Sequence, residues 1–230
     1  MLVVSNFVLT TQSPVMDPST FLGSSVKGFT LNINHDYRYL KTGYYVSLHA
    51  EVLGNPVIPT SENIIDSSRT PILLLRASKA GIPKMPFLVT DSVKKVISEI
   101  GFPLVVFAVN PFIHEGFKTA KNKSALYRAI KSLGMNYKFP VCALPLKGKM
   151  ESFNSFFGKC DGDENCREIS KRVFKLFRIP VCKLHVQKHD GQVYLAGLQP
   201  LKREDITSKD LKTISDEAKM MSSQGEPFGV

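Results

Sequence analysis

A helix predicted from residue 43 or 44 to residue 53 carries side chains that could bind a small polar ligand. At 3.6 residues per turn, Tyr44, Ser47 and Glu51 fall on one face. A phenol, a hydroxyl and a carboxylate in line can hold an amine or a ribose. The alternative is structural: the two hydroxyls satisfy backbone groups and Glu51 pairs with a neighbouring lysine. Both interpretations stay open, because a carboxylate on an otherwise apolar helix requires either a hydrogen-bond or ion-pair partner or a role in binding a ligand.

The start of the same helix suits an anion. The backbone N–H groups near Gly43 lack partners within the helix, and the helix dipole adds partial positive charge. Arg38 is close in sequence and could clamp the same anion. Lys159 follows a predicted strand, and ligands of α/β sheets gather beyond the carboxyl ends of strands. The simpler interpretation of Gly158-Lys159 is a turn followed by a solvated lysine.

A basic segment runs from Gly116 to Met150 without a single Asp or Glu, in a chain of net charge +10. Such a field attracts phosphates, carboxylates or nucleic acid, and a solvated surface is the equally weighted alternative. Its basic residues are Lys118, Lys121, Lys123, Arg128, Lys131, Lys138, Lys147 and Lys149. The first three of these are our candidates for binding an anion. Aromatic residues in the segment could stack on bases, although no RNP1, KH or zinc-finger pattern accompanies them.

Local signatures of catalysis and metal binding are absent from the sequence. There is no G-x-S-x-G, no Walker A motif and no G-x-G-x-x-G, so we predict no catalytic residue. Cys160 and Cys166 lack the close spacing of structural zinc sites. The acidic run that begins at Asp161 starts like a calcium loop. It then fails at the required glycine and at the final glutamate, where Cys166 and Arg172 stand, so we predict no metal site.

Strand-like and helix-like segments alternate in the first third of the chain. Short apolar runs predict the strands, and Gly54 predicts the end of the helix that carries Tyr44. The order strand, helix, strand is typical of a small parallel α/β unit. The predicted segments are strands at 2–4, 29–33 and 56–59, a loop at 17–25 and the helix ending at 53.

The remaining two thirds continue this alternation. Gly81, Gly101 and Gly134 predict helix ends, and Asp91 is predicted to cap a helix. Asp190-Gly191 predicts a type I′ hairpin turn. The predicted helices lie at 70–80, 91–100, 123–133, 166–177 and 211–221, and the predicted strands at 87–89, 103–109, 140–144, 153–157, 180–189 and 192–198.

The cellular compartment follows from the cysteines and the start of the chain. Four cysteines, no basic region before the first apolar run and no apolar stretch of the ~20 residues that span a bilayer indicate a cytoplasmic protein with reduced thiols.

Two separated blocks resemble the RimK-like ATP-grasp N-terminal domain family. The first runs from Tyr37 to Glu51, with a Tyr-rich turn and the run Gly-Tyr-Tyr-Val-Ser-Leu, and is followed by Pro56-Val57-Ile58-Pro59. The second joins Phe156-Phe157-Gly158-Lys159, a basic helix, Phe177-Arg178-Ile179-Pro180 and a hairpin that ends at Gln199-Pro200-Leu201. Together the blocks cover roughly half the chain.

The resemblance implies a domain that usually precedes a RimK-like ligase, which joins a carboxylate to an amine through an acyl-phosphate made from ATP. We therefore expect a non-catalytic accessory or substrate-binding protein for amino-acid or small-peptide ligation. Arg38, Tyr44, Ser47, Glu51 and Lys159 would contact the substrate. Since the chain ends at residue 230, ATP and Mg²⁺ are expected to be bound by a separate partner ligase.

The middle of the chain is similar to the first lobe of an ATP-grasp fold, in Leu75 to Pro83, Ile100 to Val106 and Asn122 to Leu126. In a working lobe of that kind, a lysine on the nucleotide phosphates follows the apolar strand directly. Phe107 stands at that place here. A Gly-rich phosphate loop should come next, but residues 110–116 contain one glycine. The resemblance therefore implies a degenerate lobe.

The expected architecture is an α/β fold with a mixed sheet flanked by helices. Residues 1–66 and 150–222 form the family-like domain, 67–149 an inserted α/β lobe, and 223–230 a flexible tail. Two alternatives to the accessory function remain open. One is a nucleic-acid-binding module that uses the basic segment, and the other is a minimal ATP-dependent ligase.

Overall fold

The computed structural model describes residues 1–110, 112–113 and 116–223. The predicted tail therefore lies, from residue 224 onward, outside the described residues. Within them, eleven strands divide among three sheets, one parallel and two antiparallel, and eight α-helices cover the sheets. The predicted α/β class with mixed strand directions and flanking helices is confirmed. None of the helices in the described part of the chain is long and apolar enough to span a membrane.

The first sheet is parallel and has the order β2-β1-β3-β4. Its strands are β1 (Leu2–Ser5), β2 (Val15–Met16), β3 (Thr30–Ile33) and β4 (Val57–Ile58). Side chains alternate between its two faces. Leu2 and Val4 pack under the helices α1 (Pro18–Leu22) and α2 (Thr42–Val52), whereas Val3 joins the main core of the molecule.

Helix α1 corrects the prediction of a loop at 17–25. Asp17 caps this helix by accepting a hydrogen bond from the Thr20 N–H at 3.0 Å, and Pro18 occupies its first turn. The Phe21 side chain is fully buried. A five-residue helix is too short to show a hydrophobic period, so the sequence pattern missed it.

The second sheet is antiparallel and has the order β5-β8-β6-β7. It consists of β5 (Leu88–Thr90), β6 (Leu104–Ala108), β7 (Phe117–Ala120) and β8 (Val141–Pro145), covered on one face by α5 (Val93–Glu99) and α6 (Lys123–Leu133). Strand β7 was not predicted. Ser92, rather than Asp91, caps α5 by accepting a hydrogen bond from the Lys95 N–H.

The third sheet is antiparallel and has the order β11-β10-β9. Its strands are β9 (Lys149–Phe156), β10 (Val181–His189) and β11 (Gln192–Gln199). Asp190 and Gly191 have φ angles of 48° and 72°, so the predicted turn with two positive φ values is confirmed. Four helices pack against this sheet or its neighbours: α3 (Ser61–Ser68), α4 (Thr70–Lys79), α7 (Glu164–Phe177) and α8 (Ser208–Ser223).

One main core joins the three sheets. Val105 and Phe107 of β6 share it with Leu184 of β10 and Leu195 of β11, so the second and third sheets lie against each other. The boundaries predicted at 67 and 149 stay a prediction. Strands β5 to β8 form a sheet with a second core of their own, whereas α4 contacts β11 of the third sheet.

We expect Gly43→Ala to destabilise the protein by about 1–3 kcal/mol. A Cβ atom at Gly43 would lie 2.6 Å from the Asp36 carbonyl oxygen and 2.9 Å from the Tyr37 ring, so the connector between β3 and α2 would have to shift. Urea denaturation measures the change. Gly23→Ala is the matched control, because its Cβ atom would meet nothing nearer than 3.8 Å. Equal stability of the Gly43→Ala and Gly23→Ala variants would contradict the prediction.

Candidate functional site

The connector between β3 and α2, residues 34–41, is held in shape by Tyr37. The Tyr37 hydroxyl donates to the Asn32 carbonyl and accepts from the Asn34 N–H, both at 2.9 Å. Burial raises the pKa of this phenol, so it remains a donor. Beyond Tyr37, the Arg38 guanidinium binds both carboxylate oxygens of Asp36. Burial raises the pKa of Asp36, but the hydrogen bonds from Arg38 outweigh it and leave that pKa below its ordinary value.

The three predicted ligand-binding side chains of α2 have structural partners. Ser47 is fully buried, donates to the Pro59 carbonyl at 2.6 Å and accepts from Asn32 at 2.8 Å. The Glu51 carboxylate accepts from the Ser61 N–H at 2.7 Å and from its hydroxyl at 2.5 Å, so it binds the start of α3. Tyr44 contacts two neighbouring tyrosine rings edge-on. Their predicted role in substrate binding stays a prediction.

The structure separates the other predicted residues. Arg38 lines a cleft between the sheets, whereas Lys159 lies in a groove beside α8 and pairs with Glu217. Gly43 is buried at the start of α2, in the first sheet's helical layer. The three lysines predicted to bind an anion lie on β7 of the second sheet and at the start of α6. Lys118 donates to Ser132 at 2.9 Å, and Lys121 and Lys123 are exposed on either side of the cap of α6.

One candidate site is a cleft enclosed by the β3–α2 connector, the α3–α4 junction and the facing antiparallel sheets, and we call it the central cleft. It holds about 750 Å³ of empty space, counted to its open mouth. Its described lining residues are mostly apolar, and Arg38 is the charged one among them. They are Tyr37, Arg38, Tyr39, Ile64, Ser67, Ser68, Thr70, Phe107, Ala108, Asn110, Ile113, Gly116, Ile179, Val181, Cys182, Leu198, Gln199 and Pro200.

Phe107 projects from β6 into the space between the two antiparallel sheets. Its ring is 2% exposed and lies 5.5 Å from the Phe117 ring and 6.3 Å from the His185 ring, centre to centre. It also rests on Gly197 of β11, where a Cβ atom would come within 2.7 Å of the ring. The position at which the family resemblance expects a phosphate-binding lysine is therefore part of an aromatic contact.

A polar network borders this contact, and sequence reasoning missed it. His185 Nδ1 lies 2.6 Å from the Ser152 hydroxyl, and Nε2 lies 2.6 Å from Gln199 Oε1. Since an amide oxygen only accepts, Nε2 carries the proton and Nδ1 accepts from Ser152. Burial lowers the pKa of His185 to about 4, against a smaller opposing effect of Gln199. The three residues lie on three adjacent strands, a pairing that only the sheet register reveals.

Metal ligation finds no support in the described part of the chain, where no group of three His, Cys, Asp or Glu side chains could hold an ion. The thiols are free. Burial raises the pKa of Cys142 and of Cys182 to about 12, which keeps both protonated and weakly reactive.

We expect His185 to make the folded protein less stable as the pH falls from about 6.5 to about 4. In that window the unfolded chain binds a proton at this residue and the folded chain does not, so stability increases with pH. His185 contributes at most roughly 3 kcal/mol to the free energy of unfolding across this pH range. Urea denaturation across this range measures it as the difference between wild type and His185→Gln.

His189→Gln is the control, since it removes a histidine of the same strand without touching the cleft. A His185→Gln variant whose stability changes with pH as the wild type's does would contradict the prediction. Its amide cannot titrate, so its profile should be flatter.

Comparisons with known proteins agree with this architecture. No match was found among curated proteins. A RimK domain ATP-grasp protein from Sphaerobacter thermophilus shares 10% identity at a TM-score of 0.66, covering 95% of this chain and 99% of that chain. D-alanine–D-alanine ligase from Bacillus anthracis shares 14% identity at 0.63, covering 98% and 99%. The ATP-grasp ligase PsnB, complexed with a minimal precursor, shares 13% identity at 0.62, covering 98% of each chain.

At these identities the solved structures establish the fold alone. The family itself is established by the sequence model of the RimK-like ATP-grasp N-terminal domain, which matches residues 22–217. This match includes both blocks on which the resemblance was based. The chain therefore belongs to the RimK-like ATP-grasp N-terminal domain family.

Proposed function

We propose that this protein is a non-catalytic accessory that binds an amino-acid or small-peptide substrate for a separate RimK-like ATP-grasp ligase. The observation that carries the proposal is the Phe107 ring, buried between the two antiparallel sheets against Gly197 and His185. Transferring phosphates need cations or metal ions to neutralise their developing charge. A buried phenyl ring beside an uncharged imidazole supplies neither.

The central cleft has the features of a small-ligand site. Apolar walls with a few polar groups are typical of such sites. Arg38 is held by Asp36 in a fixed orientation, so a ligand carboxylate that its guanidinium bound would cost little side-chain entropy. Ser67, Ser68 and Gln199 add hydroxyl and amide groups to the same wall.

The solved neighbours support a connection to ligation. They include a D-alanine–D-alanine ligase complexed with ATP and the ligase PsnB complexed with a minimal precursor. We infer from the shared fold that this chain retains the architecture around the ligand and presents the ligand to a partner that supplies ATP and Mg²⁺.

We expect the purified chain to bind amino acids or dipeptides without releasing ADP from ATP. Arg38→Gln should weaken binding about tenfold, because it removes a charge-assisted hydrogen bond to the carboxylate. Titration calorimetry measures the affinity, and a coupled ADP assay measures turnover. Arg172→Gln is the control: the Arg172 side chain donates to the Ala80 carbonyl and lies outside the central cleft.

Amino-acid-dependent ADP release by the isolated chain would overturn the proposal and establish the minimal ligase. Binding that Arg38→Gln and Arg172→Gln weaken equally would place the ligand outside the central cleft.

A second candidate function rests on the outward face of α6. Tyr127 is 42% exposed and stands among Lys123, Arg128 and Lys131, a combination that suits single-stranded nucleic acid.

If this function holds, Tyr127→Ala should weaken oligonucleotide binding by about 5- to 100-fold, and binding should fall steeply with salt. Fluorescence anisotropy of a labelled oligonucleotide measures both effects. Tyr45→Ala is the control, because Tyr45 is equally exposed on α2. Equal effects of the two substitutions would dismiss this candidate.

A further inference from the structure

Two of the four cysteines flank Gly162 in the loop between β9 and α7. Cys160 follows β9, and Cys166 lies in the first turn of α7. A Cβ atom built at Gly162 would lie 3.5 Å from the Cys160 sulfur and 3.5 Å from the Cys166 sulfur. Twice that distance is therefore the upper limit on the separation of the two sulfurs, so the folded chain holds these thiols close together.

The contact at Gly162 explains how the loop comes so near the helix. A Cβ atom there would lie 2.5 Å from the Cys166 Cβ atom, which is closer than two such atoms approach in folded proteins. Gly162 has no positive φ angle, so its backbone conformation alone does not require glycine. The absence of a side chain at Gly162 is what lets Cys166 pack against the loop that carries Cys160.

Hydrogen bonds fix this loop against the start of α7. Asp163 caps the helix by accepting a hydrogen bond from the Cys166 N–H at 2.9 Å. Arg167 donates from Nε to the Gly162 carbonyl at 2.8 Å. The loop and the first turn of the helix are therefore tied together on both sides of Cys166, and formation of a bond between the thiols requires only a local adjustment.

The two thiols differ in exposure. Cys160 is partly exposed and lines the groove beside α8, whose volume of about 870 Å³ leaves room for a small oxidant. Cys166 is 1% exposed. Burial and a hydrogen bond with Asp163 raise the pKa of the Cys166 thiol to about 11, and the nearby Cys160 adds to this effect. An oxidant therefore reaches Cys160 first, and Cys166 is the thiol that meets the oxidised product.

We propose that Cys160 and Cys166 are a modification site, at which a hydroperoxide produces a reversible disulfide within one chain. Neither residue is among the described residues that line the central cleft, so this modification is separate from the proposed function.

The reaction has two steps. The Cys160 sulfur attacks one peroxide oxygen, so that an S–O bond forms, the O–O bond breaks and the other oxygen leaves as water or an alcohol with the thiol proton. The Cys166 sulfur then attacks the sulfenic acid at Cys160, so that the S–S bond forms, the S–O bond breaks and water leaves with the second thiol proton. Two thiols are oxidised and one hydroperoxide is reduced. A dithiol reductant reverses the change by thiol–disulfide exchange.

Peptide mapping of the full chain tests the disulfide directly. Trypsin cleaves after Lys159 and after Arg167, so Cys160 and Cys166 fall in one peptide. The folded protein is treated with hydrogen peroxide, unfolded in iodoacetamide and digested. We expect this peptide to lose two hydrogens and to take no alkyl group, and to take two alkyl groups when dithiothreitol precedes the alkylation.

The other two cysteines are the internal control. Cys142 and Cys182 are buried in the main core, so both should be alkylated in every sample. Circular dichroism before and after the peroxide treatment checks that the chain remains folded, and a disulfide that forms only in unfolded protein would count against the inference.

Substitutions separate the two steps. Cys166→Ser should stop the reaction at the sulfenic acid of Cys160, which dimedone traps. Gly162→Ala keeps both thiols but adds a Cβ atom in contact with both sulfurs, so it should slow disulfide formation about tenfold or more. Gly23→Ala is the matched control and should react at the wild-type rate, because its Cβ atom meets nothing nearer than 3.8 Å.

Four results would overturn the inference. They are full alkylation of both cysteines in the peroxide-treated wild type, a disulfide between two chains on a non-reducing gel, oxidation of Cys142 or Cys182 ahead of this pair, and an unchanged rate in Gly162→Ala. The first three need no variant, so they decide the question even where a substitution impairs folding.

Discussion

The contact between the Phe107 ring and Gly197 fixes the distance between the two antiparallel sheets. Gly197 has no side chain, so the ring lies directly against the backbone of β11. Any larger residue there would push the sheets apart, and any polar residue at position 107 would have to be satisfied inside the main core. The width of the gap between these sheets at the central cleft follows from this one apolar contact.

The apolar surroundings that Phe107 creates determine the charge of His185. Its imidazole lies beside Phe107 and Phe117, where burial costs a cation its hydration, and the ring is neutral as a result. Gln199 and Ser152 then satisfy both ring nitrogens without any formal charge. This part of the cleft is suited to neutral or apolar ligand groups. Among the described residues that line the cleft, the charged one is Arg38 of the β3–α2 connector.

Much of the local structure could be predicted from the sequence, because its causes are local. The helix α6 begins and ends at the predicted residues 123 and 133, since an asparagine cap and a following glycine flank a strong apolar period. The Asp190-Gly191 turn was also predicted correctly from its two residues alone. Strand β7 was missed because its run Phe-Lys-Thr-Ala is short and lies in a basic segment. Its partners on β6 are determined by register, which no local pattern reveals.

The candidate site shows the same difference between features with local causes and features that depend on which strands are neighbours. Sequence reasoning proposed Arg38, which lines the central cleft, as a ligand-binding residue, and it left Glu51 either as another such residue or as the partner of a lysine. In the structure the Glu51 carboxylate binds Ser61 at the start of α3. The His185 network depends on which strands are neighbours, so it emerges only from the folded chain.

The low identity to the solved ligases has a physical explanation in these observations. The fold requires apolar side chains at alternating strand positions, glycines at a few close contacts and caps at the helix ends, and many sequences satisfy such requirements. Ligase chemistry additionally requires particular cations at particular strand ends. Phe107, at the position where the family resemblance expects a lysine, satisfies the first set of requirements, because a buried ring packs as well as any core residue, and supplies no cation there. The fold can therefore persist with phenylalanine at this position, and Arg38, the proposed ligand-binding side chain, belongs to a different segment, the β3–α2 connector.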